Sequence, residues 1–424
     1  MEQSYLTSNG VQVYSYRNSK IGSFAISLFL RSGLIYESEE TSGFSHFFEH
    51  CVFRNINAVM GGKMYETLDR CGLDFNALTH TNYIELTIGG AVSHFDDAAR
   101  IIALALSPIV FGKTVLDAEK RRIKSEIREN GSSSIERFSD KTVFRGSSIE
   151  NKTILGKVTN IDRFSLKMLK KETESILTRE NMFFYVGGNF SDASLSEFYS
   201  LIENQRVYSG QKRENKVTFP EDFGKRDCAV AVKNAQSTEV CITFDVSATD
   251  CTLQELLCLW DTLFLGESCP MYRELSEDLG LIYSYSDTMY IFDGFAGVGV
   301  IYEVRGDKLM QSLETVFDMF ESAKTESEKR LPLILPFFTD DGDILLDDAG
   351  KIVSDFGYYN HILSCGYRNT EDMKNAFRAV RGERLNELAR KVFKPDNLVV
   401  AIKGNKKKID TEAIRRTAAC RIGK

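Results

Sequence analysis

His46-Phe47-Phe48-Glu49-His50 constrains this chain more than any other stretch. Residues four apart on an α-helix project from one face, so a helix here offers two imidazole nitrogens to one metal, with Glu49 beside them. The pattern is the inverted zinc signature H-x-x-E-H. With only 5 histidines in 424 residues, chance is a poor source for it. A solvated polar face would be the bland account, but the flanks oppose it. Phe44, Phe47, Phe48, Val52 and Phe53 make the segment largely apolar, and imidazoles and a carboxylate buried there without partners are costly. A metal supplies the compensation.

A catalytic tetrahedral zinc needs a third protein ligand and an open position for water. The next acidic helical pattern runs from Thr114 to Asn130, where Glu119 and Glu126 fall on one face two turns apart. Spacing does not choose between Glu119, Glu126 and Glu129, or separate any of them from an ordinary surface carboxylate. Cys51 directly follows His50. A thiolate in the fourth position would close the metal to water, so Cys51 reads as a core thiol.

A chain of 424 residues is too long for one ordinary core, so two or more domains are expected. With 43% hydrophobic residues, 27% charged and 6 prolines it is an ordered globular protein. A net charge of −7 and the lack of a basic stripe interleaved with aromatics exclude nucleic-acid binding. Lys406-Lys407-Lys408 is a solvated turn. Nine scattered cysteines without a C-x-x-C pair suit reduced thiols. The N-terminus has no basic region followed by an apolar run, and Ile101 to Val110 is far too short to span a bilayer. A cytoplasmic location, away from membranes, is the expectation.

The chain echoes itself. Asn181 to Asn189 and Asn397 to Asn405 share the pattern Asn, apolar run, Gly-Asn, each after a helical stretch and about half a chain length apart. Self-similarity of this kind points to two homologous domains, 1–203 and 226–424, joined by a polar linker at 204–225. Strand-like alternation marks Val11 to Tyr16, Phe24 to Arg31, Tyr83 to Ile88, Val240 to Val246 and Phe295 to Tyr302. Helical periods mark Ser42 to Asn55, Gly62 to Cys71, Phe95 to Leu106, Thr114 to Asn130, Thr252 to Leu265, Lys308 to Ala323 and Asp372 to Ala379. Mixed without strict alternation, they predict an α+β fold, each domain a sheet with helices packed on one face.

The motif, the Gly43-Phe44-Ser45 that leads into it, the stretch Gly72-Leu73-Asp74-Phe75-Asn76-Ala77-Leu78-Thr79, and Ala118-Glu119 through Ser125-Glu126-Ile127 together resemble the pitrilysin/insulinase family of zinc peptidases, in its half-length, mitochondrial-processing-peptidase-like branch. The resemblance covers nearly the whole chain. It implies one Zn2+ per chain on His46, His50 and Glu126, Glu49 as the catalytic carboxylate, and Glu119 as a supporting acid. It implies further a zinc metalloendopeptidase acting on short or unfolded peptides such as a precursor or leader peptide. Asn76 and Ala77 would lie on an edge strand to which an extended peptide adds by main-chain hydrogen bonds.

The second half lacks the motif, so the resemblance makes it a non-catalytic wall of a clamshell chamber formed by two chains. Met271 to Ser284 looks like the family's substrate-gripping stretch, an Arg followed by a Tyr seven residues on; Tyr283 is present, but Ser276 stands at the Arg position. Arg273, about one helical turn earlier, is the candidate substitute. A serine supplies no positive charge to clamp a carbonyl. The expected assembly is therefore a heterodimer whose partner carries the Arg/Tyr pair, with a homodimer as the other arrangement. The competing readings are a non-catalytic core or assembly subunit, and a peptide-binding escort, of the same fold.

Overall fold

The computed structural model describes residues 1–130, 134–221, 224–247, 249–292 and 295–423. Among them, eleven strands form two sheets. The first contains β1 (Gln3–Leu6), β2 (Gln12–Arg17), β3 (Ser23–Leu30), β4 (Asp74–Thr79), β5 (Ile84–Ala91) and β6 (Met182–Gly188), in the order β1-β2-β6-β3-β5-β4. The second contains β7 (Ala229–Asn234), β8 (Thr238–Ser247), β9 (Tyr285–Phe292), β10 (Phe295–Val304) and β11 (Leu398–Gly404), in the order β7-β11-β8-β10-β9. In each sheet the late strand inserts beside the early ones. β6 lies parallel to β2 and antiparallel to β3, and β11 lies parallel to β7 and antiparallel to β8. These inserted strands are the two echoes in the sequence, so the repeat is topological as well as local.

β3 and β6 read as almost unbroken apolar runs because both of their faces are covered. On one face Phe24, Ile26, Leu28 and Leu30 join Phe44, Phe47 and Phe48 of the helix Phe44–Val59, together with Phe95 and Ile102 of the helix Phe95–Ala103. On the other lies the helix Ala349–Phe356, whose Ile352 and Val353 crowd Gly187. Glu85 on β5 fastens it there, accepting hydrogen bonds from Ser354 (2.7 Å) and from Ser27 of β3 (2.9 Å).

The second sheet repeats this plan. Phe244 of β8 packs edge-on against Phe320 of the long helix Leu309–Thr339 and against Phe393. Cys241 and Ala401 turn the other way, onto Ile135 of the helix Ile135–Val143.

Contacts therefore divide the chain into two discontinuous units. One comprises Met1–Gly131, Lys152–Val217 and Gly342–Asp372; the other comprises Ser132–Asn151, Thr218–Asp341 and Met373–Lys424. The passage at Val217 to Thr218 falls inside the expected linker, of which residues 222–223 lie outside the described residues. Beyond that expectation, each half lends the other one helical segment that covers the second face of its sheet. The long helix also outruns its predicted end at Ala323, continuing through Pro332 and Pro336 to Thr339 because Leu331 and Ile334 are still buried.

Ile352→Ala opens a cavity under a fully buried side chain and is expected to lower stability by about 2–5 kcal/mol. Chemical denaturation checks it; a loss below about 0.5 kcal/mol, the scale of a neutral surface change, would mean that this helix is not seated on the first sheet.

Candidate metal centre

The motif stretch forms the helix Phe44–Val59, and its start is built by backbone constraints that the motif itself does not carry. Gly43 turns with φ 92° and lies so close to Gly156 that a Cβ would meet its Cα at 2.5 Å. No side chain of the first turn caps this helix. Glu37 does so from outside, its carboxylate accepting from the N–H groups of Gly43 (2.9 Å) and Ser45 (2.7 Å). Burial pushes the Glu37 carboxyl up, against those two N–H groups and Lys152. An anion at the positive end of the helix is also the favoured partner of its dipole.

The facing helix is Lys113–Asn130, which brings Glu119 and Glu126 to the histidines. The Nε2 atoms of His46 and His50 each stand 3.6 Å from a carboxylate oxygen of Glu126. One donor atom from each of these three residues lies within 4.8 Å of the other two. A gap of 3.6 Å exceeds a hydrogen bond. It is close to the roughly 3.3 Å that separates two N or O donors sharing a tetrahedral zinc at about 2.0–2.1 Å each. Two imidazoles and a carboxylate are also the chemistry of a catalytic zinc set, so the residues present fit the ion.

Glu119 sits behind this set. It is 4% exposed, and its two oxygens face His50 Nδ1 (3.3 Å) and Arg54 Nε (2.5 Å). Burial alone would raise the Glu119 carboxyl, but the hydrogen bonds from His50 and Arg54 outweigh it and bring it below its ordinary value. A carboxylate held charged at Nδ1 fixes the proton there and leaves the Nε2 lone pair of His50 turned toward Glu126. Glu49 is not part of the three-donor cluster. Its Oε2 accepts from the Thr79 hydroxyl at 2.5 Å, and burial raises its carboxyl while Thr79 and His50 oppose the rise and Glu126 adds to it.

Asn76 and Ala77 lie on β4, an outer strand of the first sheet that pairs only with β5 among the described strands. Because Thr79 ends β4 and reaches Glu49, this strand runs up to the acid. Arg273 and Tyr283 belong to the second unit. Arg273 lies exposed on the helical turn Met271–Asp278; Tyr283 is 97% exposed beside an open cavity of about 430 Å³ lined also by Thr238, Leu281 and Glu303. Two contacts escape the sequence reading. Arg54 continues the i, i+4 series of His46 and His50 by one more turn and so reaches Glu119; Thr79 ends the family-like stretch from Gly72, but no spacing pairs it with Glu49.

Comparisons with known proteins identify the family and the fold. Residues 12–156 match the family model described as Insulinase (Peptidase family M16), and residues 163–332 match the one described as Peptidase M16 inactive domain. The chain belongs to the M16 peptidase family. An uncharacterised zinc protease of Bacillus subtilis is 23% identical over 95% of this chain and 98% of its own length. The mitochondrial-processing peptidase subunit beta of the rat is 27% identical over 38% of this chain and 33% of its own. A solved protease from Helicobacter pylori superposes with a TM-score of 0.82 at 17% identity, covering 95% of this chain and 99% of that one, which establishes the M16 fold. Among the described residues no helix is long and apolar enough to cross a membrane.

Glu119→Gln keeps the shape of the supporting group but removes its charge, and is expected to weaken divalent-metal binding by about 10–100-fold. Equilibrium dialysis against zinc checks it; unchanged affinity would show that Glu119 only packs.

Proposed function

We propose that this chain is a zinc-dependent endopeptidase of the M16 family, with His46, His50 and Glu126 as the zinc ligands and Glu49 as the proton carrier. The observation that carries the reading is the convergence of those three donors within 4.8 Å, next to a half-buried carboxylate that is not among them. Zinc held by these residues would lower the pKa of a water to about 7 and polarise a carbonyl. Glu49 accepts the water's proton and delivers it to the leaving amine, with Thr79 fixing the carboxylate that does so. Glu119 and Arg54 keep His50 in one tautomer and one orientation. An extended peptide lies along the outer edge of β4, past Asn76 and Ala77, and its main chain is thereby led to Glu49. Short or unfolded peptides suit this mode, because a folded protein has no free strand to add.

A homologous second chain supplies the Arg/Tyr pair that Ser276 leaves incomplete here, making this chain the metal-bearing member of a heterodimer. The nine free thiols suit a reducing compartment such as the cytoplasm.

Glu49→Gln should keep stoichiometric zinc and lose about 10²–10⁴ in kcat on an unstructured peptide. Glu126→Gln should lose zinc and activity together. Metal analysis beside a peptide-cleavage assay checks both, and a fully active Glu49→Gln protein sinks the mechanism. A zinc-free wild-type protein that takes up none would favour the non-catalytic core or escort role. For the heterodimer, the purified chain alone should cleave weakly and gain activity with the companion chain; strong cleavage by the chain alone would refute that assignment.

A further inference from the structure

Cys71, His94 and Asp97 form a second cluster of donors in the first unit. Cys71 is the last residue of the helix Met64–Cys71, His94 immediately precedes the helix Phe95–Ala103, and Asp97 lies in that helix's first turn. One donor atom of each lies within 4.8 Å of the other two. Asp97 Oδ2 stands 3.3 Å from His94 Nδ1 and 3.6 Å from Cys71 Sγ. Ligands of a tetrahedral zinc, with Zn–N and Zn–O of about 2.0–2.1 Å and Zn–S of about 2.3 Å, stand roughly 3.3 Å apart for an N/O pair and roughly 3.6 Å for an S/O pair. These two separations, hydrogen-bond contacts to one carboxylate oxygen, are the length of such edges. Cys71 is buried, whereas the His94 and Asp97 side chains are 36% and 38% exposed, which leaves a solvent side for a fourth ligand and a path of entry.

We propose that Cys71, His94 and Asp97 bind a divalent transition metal of the zinc class, as a site separate from the one at His46 and His50. A thiolate, an imidazole and a carboxylate suit zinc or cobalt and disfavour magnesium and calcium, which take oxygen ligands. The ion's place in the fold gives it a structural consequence. Cys71 stands three positions ahead of Asp74, where β4 begins, and Asp97 belongs to a helix packed on β3 and β5. A metal here ties the entry of the edge strand to the body of the sheet, at the end of β4 opposite to the one where Thr79 meets Glu49.

The test uses the full chain carrying His46→Ala and His50→Ala, so that the outcome does not depend on whether the first set holds zinc. Titration with cobalt(II) alone should bind one equivalent and develop a near-ultraviolet thiolate-to-cobalt charge-transfer absorption, since Cys71 is the one sulfur in either set. Adding Cys71→Ser should abolish the band. Adding His94→Ala, which leaves the thiol in place, should weaken cobalt binding by more than the roughly 10–100-fold that loss of an outer partner costs. Absence of the band in the starting variant overturns the site, as does a band or an affinity that either added substitution leaves unchanged.

Discussion

Burying the Glu119 carboxylate between two helices is tolerable because His50 and Arg54 both reach it from the facing helix. An isolated carboxylate with 4% exposure would protonate rather than stay charged; two donors reverse that preference. The arrangement fixes the rotation of the helix Lys113–Asn130 about its own axis, and Glu126, two turns on, is thereby aimed at both imidazoles. Leu116 and Ile123, buried in the core beside the motif helix, act with this charged contact to set the register between the helices.

The motif helix Phe44–Val59 is held at its start by Glu37, which takes up N–H groups left open where Gly43 turns the chain. Glycine at 43 and 156 lets two backbones meet where any side chain would separate them. β4 completes the enclosure by carrying Thr79 to Glu49. The carboxylate proposed to move a proton is thus positioned by a strand, and the histidines beside it by helix caps and a buried acid, so their placements are set by different parts of the fold.

Reciprocal exchange of helices explains why the strongest strands look as they do. β3 and β6 lack polar alternation because Ala349–Phe356 covers the face that a one-sided sheet would leave wet, and Ile135–Val143 does the same for β8 and β11. Periodicity in the sequence located β2, β3, β5, β8 and β10 and most of the long helices, since each carries its own apolar pattern. It passed over the edge strands β1, β7 and β9, whose side chains are mostly exposed or half-buried and carry little pattern. It also passed over Ala349–Phe356, eight residues whose apolar positions make sense only against a sheet far away in the chain.

The sequence by itself determined the chemistry on offer: His46, Glu49 and His50 share one helix face by spacing alone, and two copies of an Asn, apolar run, Gly-Asn pattern announced a duplicated fold. Helical spacing left open which acid joins them; the family resemblance implied Glu126, and the tertiary structure supplies the physical reason. Glu119, Glu126 and Glu129 are equivalent to any rule of helical spacing, and only the packing of their helix on the motif helix puts Glu126 between the two Nε2 atoms, Glu119 behind His50, and Glu129 with Ser125 on the exposed side. Local periodicity encodes which side of a helix a residue occupies; the partner it meets there depends on contacts between segments far apart in the chain.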